Sequence, residues 1–329
     1  KPTTIKKETY IMSNATPSRL GLVNATGTGV NDLFLKIYSG EVLASFSREN
    51  VMLGMTNVRT ISNSKSATFP VTGQTTSGYH TAGNEILGDS IKHNEKVIHV
   101  DDMLLASSFV SEIDELKNYF DIRKIYANEM GQSLARTIDN NLLQLVMLGS
   151  ATSTPNVTGG KVGSKIIDAD CKTNATSMIA SLFEGLQKLD ENDVPSTDRY
   201  IVVSPDVYYQ LANNDKLLNR DFSSMNGDFG KGTVVSIGGV PVIKSNSTVT
   251  AFTDHSSDAT AGRNNTYNVD GQHTGAVLFH KSGVGTVKLK DLVVETTYDA
   301  RRIGSLITCR MALGSNVLRP ESCISIASQ

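Results

Sequence analysis

Residues 121–148 read DIRKIYANEMGQSLARTIDNNLLQLVML, and this stretch decides the fold. Its apolar side chains recur at four-residue steps with one closing step of three, so they share a single helix face. These residues are Ile122, Tyr126, Met130, Leu134, Ile138, Leu142 and Leu145. A helix of about 28 residues is roughly 40 Å long, well above the usual globular length. We therefore predict a long spine helix whose apolar stripe is core.

A polar ribbon precedes this helix. Two extended segments, 58–71 and 90–101, flank a glycine-rich tip at 72–89. Polar residues interrupt both alternations, which predicts that neither face of the ribbon supports a continuous core. A strand of about 14 residues reaches roughly 45 Å, and an isolated ribbon of that length is marginal in water. The ribbon lies either on its own subunit or on a neighbour, and its two-faced polarity favours the neighbour.

The remaining segments predict a mixed α+β chain. Residues 1–32 are Thr/Asn/Gly-rich and indicate an extended arm, followed by short helical turns within 31–48. Polar stretches at 214–231 and 250–273 indicate surface loops. Apolar periodicity predicts helices at 103–120, 174–190 and 205–213, a hairpin turning at Gly238-Gly239, and strands at 199–204, 275–280, 285–289, 291–298 and 303–313.

Composition sets the class of protein. The 329 residues predict about two lobes, with a boundary in the Gly/Ser/Thr/Pro stretch 149–163. The formal charge of −2, from 31 basic and 33 acidic residues, gives no electrostatic footprint for gripping nucleic acid. Cys171, Cys309 and Cys323 are far apart, which favours reduced side chains in a cytosolic setting. No run of 18 apolar residues and no signal-peptide pattern occur, so we expect no membrane segment.

Motifs for chemistry are absent. His93 and His99 are six residues apart on a predicted strand, about 20 Å from each other, which is too far to share a metal. The sequence holds no H-E-x-x-H, Cys/His cluster or G-x-S-x-G motif. The G-V-G-T at 283–286 lacks the third glycine and the helix of a dinucleotide fingerprint. We predict no enzyme activity, no metal and no cofactor.

Seven stretches carry a family resemblance. They resemble, in the same order, parts of the major capsid proteins of T7-like podoviruses, which have the HK97-like capsid fold. The stretches are LFLKIYSGEVLASF (33–46), VRTISNSKSATFPVTG (58–73), SIKHNEKVIHVDDML (90–104), DIRKIYANEMGQSLA (121–135), DVPSTDRYIVVSPDVY (193–208), GVGTVKLKDLVVE (283–295) and ALGSNVLRPE (312–321).

The resemblance implies a domain plan. Residues 1–48 would be the N-terminal arm with its lead-in helix, and 49–101 the extended E-loop. Residues 102–165 and 285–315 would form the peripheral P-domain around the spine helix 121–148. Residues 166–284 and 316–329 would form the axial A-domain, with the loops 214–231 and 250–273 as candidates for its tips.

The resemblance also implies a function and partners. Such proteins self-assemble as hexamers and pentamers into an icosahedral virion shell, usually with triangulation number seven, around double-stranded DNA that they do not read. A scaffolding protein and a portal would be assembly partners in the bacterial cytoplasm. An encapsulin-like nanocompartment shares the fold and is one alternative. A β-rich surface adhesin is another, although it gives no reason for the spine helix.

Interface residues are the candidate functional residues on this interpretation. Arg48, Arg59, Lys65, Lys92 and Lys96 are candidate basic contacts between subunits, with Glu85, Glu95, Asp101 and Asp102 as acidic counterparts. Ile61 and Phe69 are the candidates for apolar docking of the ribbon. The alternative for each charge is a solvated surface position worth less than about 1 kcal/mol.

Overall fold

A computed structural model describes most of the chain from residue 50 onward. The described ranges are 50–73, 75, 77–86, 88, 90–116, 122–214, 227–228, 233–234, 236–258 and 264–329, with the side chains of 115, 122–128, 227–228 and 233–234 excepted. The predicted arm, the lead-in helix and Arg48 lie outside these residues, as does most of the predicted loop 214–231.

The described residues contain five α-helices and fourteen strands. The helices are α1 (Glu112–Leu116), α2 (Ile122–Ser150), α3 (Ala175–Glu191), α4 (Pro205–Ala212) and α5 (Ser247–Ala251). The strands are β1 (Asn57–Thr60), β2 (Ser66–Thr72), β3 (His93–His99), β4 (Leu104–Ser111), β5 (Ser164–Ile167), β6 (Arg199–Val203), β7 (Gly227–Asp228), β8 (Thr233–Val234), β9 (Ser236–Ile237), β10 (Val240–Lys244), β11 (Thr274–His280), β12 (Val284–Asp299), β13 (Gly304–Val317) and β14 (Cys323–Ala327).

A six-stranded sheet with a core on each face forms the centre of one compact unit. Its order is β5-β14-β11-β6-β10-β9. Because successive strand residues point to opposite faces, Ile201 and Val203 join the cluster beneath α3 and α4, whereas Val202 joins the cluster with α2. The same alternation places Leu278 on the first face and Phe279 on the second. This unit comprises residues 50–104, 134–291 and 311–329.

Local signals set the helix boundaries. The side chain of Asn174 accepts hydrogen bonds from the amides of Thr176 and Ser177, which caps the start of α3. Pro205 occupies the first turn of α4, where its missing N–H costs nothing. The predicted helices at 174–190 and 205–213, and the hairpin turn at Gly238-Gly239, are confirmed, and both glycines have positive φ.

A second unit comprises Leu105–Ser133 and Leu292–Arg310. It contains α1, most of β4 and the outer halves of β12 and β13, and these strands belong to a sheet of order β1-β12-β13-β4. Tyr298 donates to the Glu112 carboxylate at 2.7 Å. The predicted domain boundaries stay predictions.

Several parts of the secondary-structure prediction are wrong. The extended segment predicted at 58–71 is divided between two strands, β1 and β2, with residues 61–65 between them. Residues 104–111 form strand β4 rather than the start of a helix, and only 112–116 are helical before residue 117. The two predicted strands 285–289 and 291–298 are one continuous strand, β12, because Lys290 between them is a half-buried strand position.

Candidate functional site

The root of the ribbon packs on its own chain. β2 and β3 pair antiparallel, with Phe69 opposite Lys96 and Ala67 opposite Ile98. Burial alternates along β2, and the buried residues Ala67, Phe69 and Ile98 form a cluster with Val287 of β12. The prediction that neither face supports a core is therefore wrong for this part of the ribbon. A strand as short as β2 needs only three inward positions, and 67, 69 and 71 supply them.

The two apolar docking candidates and one basic candidate are engaged within the chain. Phe69 is 8% exposed, and Ile61 packs against the same cluster. Arg59 donates to the carbonyl oxygen of Thr68 at 2.8 Å, and its guanidinium carbon lies 5.9 Å from the centre of the Phe69 ring. These three side chains therefore hold the ribbon root on its own subunit, and their contact with a neighbour stays a prediction.

Asp101 forms a hydrogen-bonded knot at the end of β3. Its Oδ1 accepts from the amides of Asn264 and Asn265 at 3.0 Å each and from Nδ2 of Asn265 at 2.9 Å. Its Oδ2 accepts from the Tyr267 hydroxyl at 2.5 Å, and that hydroxyl accepts from the Ser315 amide at 3.2 Å. Asp101 is therefore hydrogen-bonded within its own chain, and its contact with a neighbouring subunit stays a prediction.

The same knot corrects the expectation for residues 250–273. That stretch was predicted to be a polar loop almost without anchors. Instead α5 covers its start, Phe252 and Tyr267 are buried, and Asn265 donates to the carbonyl oxygen of His99 at 2.7 Å. Asparagine amides and a tyrosine hydroxyl therefore provide anchors that hydrophobic periodicity does not reveal.

The ribbon tip lies beyond this root and makes little contact with it. The last root contact on the outgoing side is the Gly73 amide, which donates to the Lys92 carbonyl at 2.9 Å. The described residues between these two carry no strand or helix. Tyr79 is fully exposed and Ile86 is 78% exposed. Apolar side chains presented in this way are typical of a surface that another molecule covers.

Most of the charged candidates are exposed. Lys65, Glu85, Lys92, Glu95 and Asp102 have exposed side chains, and Lys96 is half-buried. Glu85 lies on the tip, whereas the others lie on the strands of the ribbon or next to them. Their pairing between subunits stays a prediction.

The spine helix lies where its stripe requires. α2 spans Ile122–Ser150, close to the predicted 121–148. The side chains of Met130, Leu134, Ile138, Leu142 and Leu145 are buried, with at most 9% exposed. The side chains of Ile122 and Tyr126 fall outside the described residues.

A buried carboxylate on the spine helix holds the segment that leads into the ribbon. Asp139 is 4% exposed, and its two oxygens accept from the amides of Val51 and Met52 at 3.2 Å each. Burial raises the pKa of Asp139 from 3.8 to about 6, and the two amide hydrogen bonds offset only part of that rise. Sequence periodicity missed this residue because it counts apolar positions only.

The raised pKa predicts a pH dependence of stability. The folded state binds the Asp139 proton more tightly than the unfolded state, so this group's contribution falls as pH rises from about 4 to 6. The full cost of ionisation, about 3 kcal/mol, is reached above pH 6. Asp139→Asn removes the titration, so its unfolding free energy relative to wild type should rise across that window. Urea titrations at pH 4.5 and 7 measure this, and an unchanged difference between the two proteins would contradict it.

The described residues contain no arrangement typical of an active site. Among them, no group of three His, Cys, Asp or Glu side chains could hold a metal. Cys171, Cys309 and Cys323 are buried and form no disulfide, and burial raises the pKa of Cys323 to about 12, which keeps the thiol protonated. No helix in this part of the chain is long and apolar enough to cross a membrane.

One Ser–His pair resembles a nucleophile and base. Nδ1 of His280 lies 2.8 Å from Oγ of Ser282, but it also accepts from the Ser282 amide at 3.1 Å. This geometry is a local cap of the 3-10 turn Lys281–Gly283, since the same ring nitrogen that a base would use already binds the backbone. The pair therefore supports no second function.

Comparison with known proteins gives a consistent answer. The family described as "Gp10A-like: Major capsid protein" matches residues 68–327. The chain is 31% identical over 315 residues to the major capsid protein of Escherichia phage T7, covering 88% of this chain and 90% of that protein. It is 33% identical over 324 residues to the major capsid protein of Enterobacteria phage T3, with the same coverage.

Solved structures agree with the sequence relatives. The capsid structure of the cyanophage P-SCSP1u superposes with a TM-score of 0.79 at 38% identity and covers 96% of this chain and 99% of that one. The mature capsid of bacteriophage PhiM1 superposes with a TM-score of 0.72 at 22% identity, over 95% of this chain and 97% of that one, and supports the fold alone. These findings do not favour a nanocompartment protein or an adhesin.

Proposed function

The chain belongs to the Gp10A-like family of phage major capsid proteins and has the HK97-like fold, and from this premise we propose that its copies form hexamers and pentamers of a closed icosahedral head. A triangulation number of seven is the lattice we expect, with double-stranded DNA inside. Closed shells arise from repeated symmetric and heterologous contacts of one chain.

One observation carries the assembly proposal. The ribbon is fixed at its root by the Phe69 cluster and the Asp101 knot, yet it presents Tyr79 and Ile86 at an unpaired tip. A rigid root with an apolar tip suits a clasp that covers a neighbouring subunit. Because the root is already fixed, docking costs only the conformational entropy of the tip residues. We propose that residues 74–91, rather than the strands β2 and β3, are that clasp.

The partners follow from the same proposal. We propose that a scaffolding protein and a portal ring take part in assembly, and that this takes place in the bacterial cytoplasm. The near-neutral charge of the chain suits a wall that holds DNA without reading its sequence. The protein acts structurally, without catalysis, and the domain plan 1–48, 49–101, 102–165 with 285–315, and 166–284 with 316–329 belongs to this proposal.

Negative-stain microscopy of the purified chain tests the proposal, with the chain expressed alone and together with a candidate scaffolding protein. We expect closed shells tens of nanometres across, or free hexamers and pentamers, because weak contacts between many copies reinforce one another. A chain that stays monomeric under both conditions at micromolar concentration would overturn it.

A further inference from the structure

An acidic groove lies on the outer side of α3. It is an open groove of about 570 Å³ whose lining includes Phe183, Leu186, Asp190, Glu191 and Gly238. The ring of Phe183 is 51% exposed, which is unusual for a large aromatic side chain on a helix that packs against a sheet. The floor of the groove is therefore apolar, and carboxylates stand at its rim.

Two carboxylates at this groove remain exposed, although each is paired with a basic side chain of the same chain. Arg199 also lines it, but its side chain is only 6% exposed and donates to Asp190 at 2.7 Å and to the Pro195 carbonyl at 2.8 Å. Asp190 and Glu191 remain well exposed at 68% and 49%, and Lys188 contacts Glu191 at 3.1 Å from the same helix. Both carboxylates therefore keep exposed surface that a basic side chain approaching the groove can reach.

A basic aromatic knob lies at the far end of β10. The ammonium of Lys244 is 5.2 Å from the ring centre of Tyr208 and 5.1 Å from that of Tyr209. It also donates to the Tyr209 hydroxyl at 3.2 Å. Tyr209 is 57% exposed, so the knob presents an aromatic ring together with a positive charge.

One copy cannot bring the two surfaces together. The Gly238-Gly239 turn at the groove precedes β10, and Lys244 ends that strand. The five residues of the strand separate the surfaces by roughly 15 Å. A groove with exposed carboxylates and a basic aromatic knob are two different, complementary patches of one chain, and such patches can form a heterologous contact. Repeated heterologous contacts generate a ring when their rotation closes.

We infer that the Tyr209–Lys244 knob of one copy docks in the Phe183 groove of the next copy within a ring of subunits. This contact rests on the proposed shell function and is separate from the ribbon clasp. The tyrosine ring covers Phe183, and the ammonium of Lys244 faces Asp190 and Glu191. A single exposed ion pair is weak, but a ring repeats the contact in every subunit, so small differences multiply.

A charge exchange tests the contact. Lys244→Glu and Glu191→Lys should each lower the yield of shells about tenfold, because like charges then face each other in every contact. The double variant should recover most of the wild-type yield. Lys165→Glu, a reversal of an exposed lysine on β5, is the matched control and should assemble normally. Shell yield is measured by sedimentation and negative stain, with thermal melts to verify folding.

A second measurement needs no assembly yield. Chains with Phe183→Cys are mixed with chains with Tyr209→Cys under mild oxidation, and we expect a mixed disulfide dimer in assembled material. Two results would overturn this contact and leave the proposed function intact. One is a normal yield of shells from both charge variants, and the other is the absence of the mixed disulfide dimer from shells that the two cysteine variants form together. A wild-type chain that forms neither shells nor capsomers would overturn both.

Discussion

A chain in which residues 74–91 are replaced by Asn-Gly should fold with near-normal stability and form no closed shells. Gly73 and Lys92 already bond across the ribbon, so a two-residue turn can close the hairpin at that point. The replacement removes Tyr79 and Ile86, the most exposed large apolar side chains among the described residues of the ribbon, but none of the buried residues of the Phe69 cluster. We expect shells to fall below detection in negative stain, while the thermal midpoint changes by only a few degrees.

A second variant keeps the backbone of the tip but replaces Tyr79 and Ile86, two of its apolar side chains. Tyr79→Ser with Ile86→Ser should also strongly weaken assembly, since the tip then loses two well-exposed apolar side chains that docking would bury. Intact shells from the shortened ribbon would contradict the clasp directly. Intact shells from the serine variant alone would instead assign the clasp to backbone contacts of the tip.

The sequence predicted the amphipathic helices well, because a helix depends on interactions between residues that are close in sequence. The stripe of α2 and the amphipathic helix predicted at 174–190 need only neighbours within one or two helical turns. β4 was missed for the opposite reason. Phe109, Ile113 and Leu116 fit a helical period, but the edge position beside β13 makes 104–111 a strand, and that pairing partner is almost 200 residues away.

The candidate interface residues show the same limit. Whether a charged side chain has a partner within its own chain depends on contacts distant in sequence, such as the hydrogen bond from Tyr267 to Asp101. No period or motif marks Asn264 and Asn265 as anchors. The sequence pattern of a polar loop residue is the same whether its side chain bonds to a carboxylate or to solvent. Arg59 is predicted as a contact between subunits, whereas its guanidinium donates to the carbonyl oxygen of Thr68, nine residues along the chain. The sequence did not reveal this bond because it predicts one extended segment where the chain breaks between β1 and β2.

Gly314→Ala should destabilise the fold more than any other single methyl addition in the ribbon root. A Cβ at this position would lie 1.9 Å from the carbonyl oxygen of His99 and 2.9 Å from Nδ2 of Asn265. The first of these is backbone, held in place because the Asp101 amide donates to the Leu313 carbonyl at 3.1 Å. Relief of the clash must therefore move β13 away from β3 and break the Asp101 knot.

The expected loss for Gly314→Ala is at least about 3 kcal/mol of unfolding free energy, because several charge-assisted hydrogen bonds weaken at once. Gly54→Ala is the matched control, since a Cβ there meets nothing within 4 Å, and its effect should stay within about 0.5 kcal/mol. Urea unfolding of the three proteins at one pH measures both values. Equal urea midpoints for Gly314→Ala and Gly54→Ala would show that β13 can shift away from the His99 carbonyl at little cost in free energy. The knot would then not be the structure that fixes the ribbon root, and the rigid-root argument for the clasp would fail with it.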